Sequence, residues 1–502
     1  MYSGASASAS AIVKRNQDAG HYHSFGIIFL IFFKFLKHRR GNIVDIMGGV
    51  KMKREKRIHL GTLFSVLAEK QQFNGTVLAA EDGDILYHHS FGYAELAEKR
   101  PLQTSSLFEL ASLSKPFTAL GIILLEEKGI VGYEDKVERW LPGFPYQGVT
   151  IRHLLNHTSG LPDYFQWFLD NWNKHKIAVN QDVVDMLMNE GLPSDFEPNE
   201  GWLYSNTGYV LLAVIMEKAS GMSYSDFMKT HIFSPLGMNE TRVYNRRFRS
   251  EQTDHYAYGY VYDVHSETYV LPDDLEETNY VVYLDGIQGD GTVNAVTSDL
   301  FRFDQALYQD NFISNDSKEA AFSPVRLNNG ETVDYGFGWV LQHSPEKGRI
   351  VSHSGGWPGY STMMIRYIDR HKTLIYLSNK EEEAEYEQAI LKAAEHILFG
   401  QPYEIPERPA DKKKKEVDPA IYSRYVGSYL FQDGTAARVT AENEKLYLQI
   451  PGQVRLELFP SSETRFFLRS LSVEIEFLLG DDAAKSFILY EDGTEEEAVR
   501  TN

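Results

Sequence analysis

The feature that most limits what this chain can fold into is a change of pattern near residue 400. Before it, apolar residues at helical spacing alternate with strand-like runs. After the stretch "QPYEIPERPADKKKKEVD" (401–418) come only short alternating runs: "YVGSYLF", "AARVTAE", "KLYLQI", "VRLELF", "RFFLR", "VEIEFLL" and "SFILYEDG". Turn pairs such as Asp433-Gly434, Pro451-Gly452 and Asp492-Gly493 separate many of them. Roughly seven or eight strands in about 85 residues predict a small all-β barrel or sandwich over 419–502. Residues 401–418, with three prolines and a lysine run, read as a linker and solvated spacer.

Residues 58–400 follow a different grammar. "FNGTVLAAEDGDILYHHSFGYA" predicts two strands joined through Asp82-Gly83. In the next helix Phe117, Leu120, Ile123 and Leu124 share a face and Gly129 supplies the stop. Pro116 is tolerated only in a first turn, so this helix is expected to begin close to Ser112. "VTIRHLLNHTSGLPDY" predicts a helix capped at Thr150 and ended near Ser159-Gly160. "NTGYVLLAVIMEKASG" predicts one ended at Gly221, and "TSDLFRFDQALYQD" one capped by Thr297. Strand signals return in "DYGFGWVLQ", "RIVSHSGGW", "YSTMMIRYID" and "KTLIYLSN", followed by a helix over Glu382–Leu398. Strands at both ends with helices between them predict an α+β domain. One antiparallel sheet is built from both ends, flanked by helices, with an additional helical subdomain.

Composition excludes several chemistries. The chain of 502 residues has no cysteine, which removes disulfides, thiolate catalysis and cysteine zinc sites. Its net charge is −20, although residues 1–57 carry 11 Lys+Arg against 3 Asp+Glu. A strongly acidic body argues against nucleic acid as a partner. The apolar run Phe25–Leu36 contains Lys34 and falls short of the about 20 residues a membrane helix needs. It reads as a signal-type or interfacial segment with no small-residue cleavage site after it. Residues 1–51 are therefore expected to lie outside the folded protein, with Met52 a natural start and the cytoplasm the expected compartment. The alternative is membrane association or export through 25–36.

The chemistry is concentrated in three segments. In "ASLSKPFTA", Ser112 and Lys115 lie i,i+3, on one face of a helix mouth. An amine beneath a hydroxyl at that place makes an activated nucleophile. The pattern S-x-x-K arises roughly twice by chance in a chain this long. A second copy, Ser344–Lys347, sits in a polar loop with proline directly after the serine and is set aside. "GWLYSNTGYVLL" places Tyr204 and Asn206 in a loop just before an apolar helix, where a rigid element can hold reactive side chains. "VSHSGGWPGYSTMM" ends a strand in His353-Ser354-Gly355-Gly356, whose glycines allow close approach of a ligand. His153 and His157 are spaced i,i+4 but lack the glutamate of a metalloprotease helix, so a capping role is expected and no metal. Trp357 and Tyr360 suit either pocket lining or packing.

Serine with lysine, then tyrosine with asparagine, then a basic residue two before glycine resembles the serine penicillin-recognising enzymes. The branch it is most similar to holds class C β-lactamases, D,D-peptidases, D-aminopeptidases and esterases. The resemblance spans about residues 60–400, and the last block resembles the small lipocalin-like domain often appended there. It implies that Ser112 is acylated, Lys115 accepts or relays its proton, and Tyr204 is the general base that also helps activate water. It further implies that Asn206 binds the substrate's amide, that His353 and Ser354 with Gly355 form the substrate-binding strand, and that the N–H groups of Ser112 and Gly356 form the oxyanion hole.

His353 stands where many relatives have lysine. With a reference pKa near ~6.5 it is mostly neutral at pH 7, which weakens recognition of a carboxylate. The expected activity is acyl-enzyme hydrolysis of ester or amide substrates, including D-amino-acid peptides, with no cofactor. The rivals are a D,D-carboxypeptidase or β-lactamase acting on carboxylate-bearing substrates, and a non-catalytic binder of peptidoglycan fragments or of a protein. The partner expected is a small molecule or short peptide, and the sequence leaves the oligomeric state open.

Overall fold

A computed structural model describes residues 51–248, 253, 255–408, 414–450, 455–468, 473–491 and 494–501. The apolar run Phe25–Leu36 and the turns Pro451-Gly452 and Asp492-Gly493 lie outside the described residues. So does the proposed extension, apart from its last residue, Lys51. Among the described residues no helix is long and apolar enough to cross a membrane.

The central sheet joins the two ends of the larger domain. Its order is Val340–Ser344, Gly348–Trp357, Tyr360–Tyr367, Lys372–Ser378, Gly75–Glu81, Asp84–Phe91, antiparallel throughout. The turn between the first two strands of the chain holds Asp82 at φ 56° and Gly83 at φ 79°. These positive angles match the twist of the flanking strands and explain the Asp-Gly pair. Gly75–Glu81 is buried almost throughout because it packs on both faces. Leu78 and Ala80 join the helical core around Phe117, Tyr209 and Leu211. Val77 and Ala79 join the opposite layer, with Leu63 and Phe64 from the helix preceding the sheet and Ile390 and Ala394 from the helix Ala384–Phe399. At about 25 cal/mol per Å² of apolar surface removed from water, these two layers are the main source of stability.

Three helix ends differ from expectation. The α-helix behind Ser112 is Lys115–Glu127, and Ser112 itself lies in a separate 3₁₀ turn, Ala111–Ser114. The helix capped by Thr150 stops at Leu155, since His157 adopts φ 64° and breaks the spiral. Thr297 is the first helical residue rather than the cap, and its hydroxyl is engaged instead with His88 Nε2 at 2.7 Å. The helix Asn206–Ser220 ends as predicted, with Gly221 left-handed at φ 69°.

The last block is a closed eight-stranded barrel, from Gly427–Leu430 to Thr494–Thr501. Tyr429↔Arg500 and its neighbours pair the first strand with the last, so no edge is left open. Its interior is packed with Tyr425, Tyr429, Phe466, Phe477 and Phe487.

Candidate active site

The turn that carries Ser112 is held from several sides. Ala111 sits at φ 49°, a costly angle for a residue with a Cβ, and persists because its surroundings impose it. Leu110 N donates to Val293 O at 2.9 Å, Thr362 Oγ1 donates to Leu110 O at 2.7 Å, and Ser114 Oγ accepts from Val293 N at 3.0 Å. Pro116 lies in the first turn of the following helix, where its missing N–H removes nothing.

Lys115 is fully buried, yet its ammonium is satisfied. Nζ donates to Ser112 Oγ at 3.0 Å, Asn206 Oδ1 at 2.8 Å and Asp290 O at 2.9 Å. Three acceptors for three hydrogens compensate the cost of burying the charge. Nζ also lies 4.8 Å from the centre of the Tyr204 ring. The Tyr204 hydroxyl is buried and has no hydrogen-bond partner among the described residues. Such a buried orphan beside a cation marks a group kept free for another partner. Ser205 follows as the helix N-cap, accepting from Gly208 N at 3.1 Å, and fixes where Tyr204 and Asn206 project.

The strand Gly348–Trp357 supplies the third element. Its pairing with Val340–Ser344 stops at Ser352, whereas pairing with Tyr360–Tyr367 runs on to Trp357. Residues 353–357 therefore pair on one edge only in these ladders, and the backbone of the other edge is open to a ligand. A Cβ on Gly355 would overlap Leu110 O and lie 3.0 Å from Leu113 N, so only glycine lets this strand press against the serine turn. A Cβ on Gly356 would meet nothing within 4 Å. Ser354 and Gly356 are exposed, on the face opposite His353 and Gly355.

His353 is placed differently from the expected substrate-binding side chain. It is buried, its Nε2 lies 3.0 Å from Tyr335 Oη, and its Nδ1 lies 2.6 Å from Ser354 O. Burial, with the Lys115 charge, pushes its pKa down to about 3. The expected neutrality is thus enforced, but the ring faces protein partners instead of the cavity.

His157 and Tyr335, to which sequence reasoning assigned no part in the site, complete this network. Ser205 N donates to His157 Nδ1 at 3.0 Å, so the hydrogen of a neutral His157 is on Nε2. Nε2 then donates to Tyr335 Oη at 3.0 Å, and Tyr335 donates onward to His353 Nε2. Burial, with Lys115 and His353 nearby, holds His157 well below the ordinary histidine range. His153 has the capping role expected, its Nδ1 accepting from Thr150 N at 3.2 Å.

Ser112, Asn206, Gly356 and Trp357 line a cavity of about 780 Å³. Lys115, Tyr204 and His353 lie behind its wall. Tyr360 lines it too, but its hydroxyl is tied to Ala257 O at 2.7 Å. The lining is largely apolar, and among its charged side chains acidic ones outnumber basic ones, Glu109, Asp285 and Asp290 among them. Burial raises Glu109 to about 7 and Asp285 to about 6.

Comparison with known proteins places the chain in a family. Residues 60–398 match the family described as Beta-lactamase, and residues 411–500 match a domain of unknown function, DUF3471. The chain is 85% identical over 450 residues to penicillin-binding protein 4* of Bacillus subtilis (strain 168), covering 90% of this chain and 100% of that protein. It is 34% identical over 191 residues to esterase EstB of Burkholderia gladioli, covering 35% of this chain and 48% of the esterase. A crystal structure of a penicillin binding protein from Bacillus halodurans superimposes with TM-score 0.57 at 26% identity, covering 66% of this chain and 98% of the other. The chain belongs to the Beta-lactamase family of serine hydrolases.

Proposed function

We propose that this protein hydrolyses short esters or amides, peptide-like ones included, through an acyl-enzyme on Ser112. The observation that carries this reading is the 3.0 Å contact between Ser112 Oγ and the buried Lys115 Nζ, at the floor of an open cavity. Ser112 Oγ attacks the carbonyl carbon, and the oxyanion is received by the N–H groups of Ser112 and Gly356. As an ammonium with three acceptors, Lys115 donates to Oγ and so cannot also take its proton. That role falls to the Tyr204 oxygen, whose negative charge in the reactive form is balanced by Lys115. The proton passes to the leaving group as the carbonyl–heteroatom bond breaks. Water then attacks the ester, gives its proton back through Tyr204, and releases the acid with Ser112 restored.

Neutral His353 and the acidic lining favour substrates without a free carboxylate. A second reading, acylation by carboxylate-bearing ligands such as penicillins, is favoured by the name of the 85% identical relative. Turnover of p-nitrophenyl acetate beside labelling by fluorescent penicillin separates the two readings. In both, Ser112→Ala is expected to lower the rate by about 10³-fold or more and to abolish the mass-detected acyl adduct. Undiminished hydrolysis by Ser112→Ala would refute the assignment.

A further inference from the structure

The cavity above Ser112 is not closed by the hydrolase domain alone. Its far wall comes from the barrel, through Lys445, Arg455, Leu456, Glu457 and Phe459. Alternation along the strand Leu456–Pro460 explains how. Leu458 points into the barrel core, while Phe459 joins Val264, Phe467 and Tyr262 in a separate apolar contact. Val264 and His265 lie between the paired strands Val261–Asp263 and Thr268–Val270 of the hydrolase domain and line the same cavity.

An ionic clamp fixes this wall. The Glu457 side chain is 5% exposed and lies 2.8 Å from His265 Nε2 and 2.9 Å from Lys445 Nζ. Lys445 lies a further 3.6 Å from Glu277, on another loop bordering the cavity. Lys445 and Glu457 both belong to the barrel, so the contacts that cross to the hydrolase domain are Glu457 with His265 and Lys445 with Glu277, and separating the two surfaces breaks both. The cavity volume, about 780 Å³, lies within the usual range for one drug-sized ligand.

We infer that the barrel sets the length of the substrate: the strand Leu456–Pro460, clamped through Glu457, stops the cavity so that only short acyl donors reach Ser112. The inference rests on Ser112 being the nucleophile. Long acyl chains, such as peptides of many residues, meet the barrel wall before their carbonyl reaches the serine.

The test uses the full chain and two esters with the same leaving group, p-nitrophenyl acetate and an N-blocked peptidyl p-nitrophenyl ester of about seven residues. The ratio of kcat/KM, long to short, is expected to be below about 0.01 in the parent and to rise about tenfold in Glu457→Gln combined with Phe459→Ala. Arg455→Trp, at an exposed rim position, is expected to lower turnover of a dipeptidyl ester about tenfold relative to the acetate, and guards against a clamp variant that fails to fold. A parent ratio within about twofold of unity, or a ratio that moves in none of the variants, would overturn the inference. A fluorophosphonate adduct mapped to Ser112 keeps that failure distinct from failure of the nucleophile assignment.

Discussion

Tyr335 occupies the Nε2 lone pair of His353 from 3.0 Å, so the neutral ring is tied to protein partners and does not line the cavity. The direction of this bond traces back to one backbone group, Ser205 N–H, which fixes the His157 tautomer at the far end of the chain of donors. The residue after the candidate proton acceptor thereby also sets the state of the strand opposite it.

Tyr335→Phe tests that coupling. It leaves the acceptor of His353 and the donor of His157 unpaired in a buried site, at a cost of about 1–3 kcal/mol for each unsatisfied group. Urea unfolding should show the loss. A shift in the pH–rate profile as His353 changes state separates a positioning role from a merely structural one.

His353 also predicts a pH dependence of stability. Its pKa falls from the ordinary 6.5 to about 3 in the folded protein. Between these values the unfolded chain binds the proton and the folded one does not. Its contribution is therefore full above pH 6.5 and declines as pH drops toward 3. Glu109 and Asp285, raised to about 7 and about 6, act in the opposite sense, favouring the fold at low pH and losing that contribution as pH rises through those values. A His353→Asn variant should therefore gain less stability, or lose more, than the parent as pH rises from 3 to 6.5, measured by chemical denaturation across the range. An unchanged slope would contradict this.

Adjacent glycines should behave differently. Gly355→Ala drives a methyl into Leu110 O and should cost about 1–3 kcal/mol or prevent folding. Gly356→Ala meets open space, so the melting temperature should barely move, while KM for esters changes because the methyl enters the cavity.

Asn206→Leu removes one of the three acceptors of Lys115 without touching Ser112. We expect kcat to fall about tenfold or more with the fold retained, read by ester turnover and circular dichroism.

Much of this was legible beforehand, for identifiable reasons. The two-residue turn at Asp82-Gly83, the stop at Gly221 and the alternation of the barrel strands are local signals, and each appears where read. Ser112, Lys115 and Asn206 were recognisable because the chemistry needs those types near helix starts. The offset between the 3₁₀ turn and the α-helix was not, because it depends on Val293 and Thr362, far along the chain. Nor was the His157–Tyr335–His353 chain, whose members share no spacing and meet only when the sheet edge closes on the loops. The "NHTSG" segment offered one hint, a histidine just beyond a helix end, but nothing local reveals that His157 is left-handed at φ 64°.

The first strand of the hydrolase domain, Gly75–Glu81, lies between its immediate successor and the strand Lys372–Ser378. A ribosome must therefore deliver nearly three hundred further residues after Glu81 before that strand gains its second neighbour. Contacts so distant along the chain make folding slow. During synthesis the half-built sheet stays exposed, and chaperones have their longest opportunity to engage it before the barrel emerges.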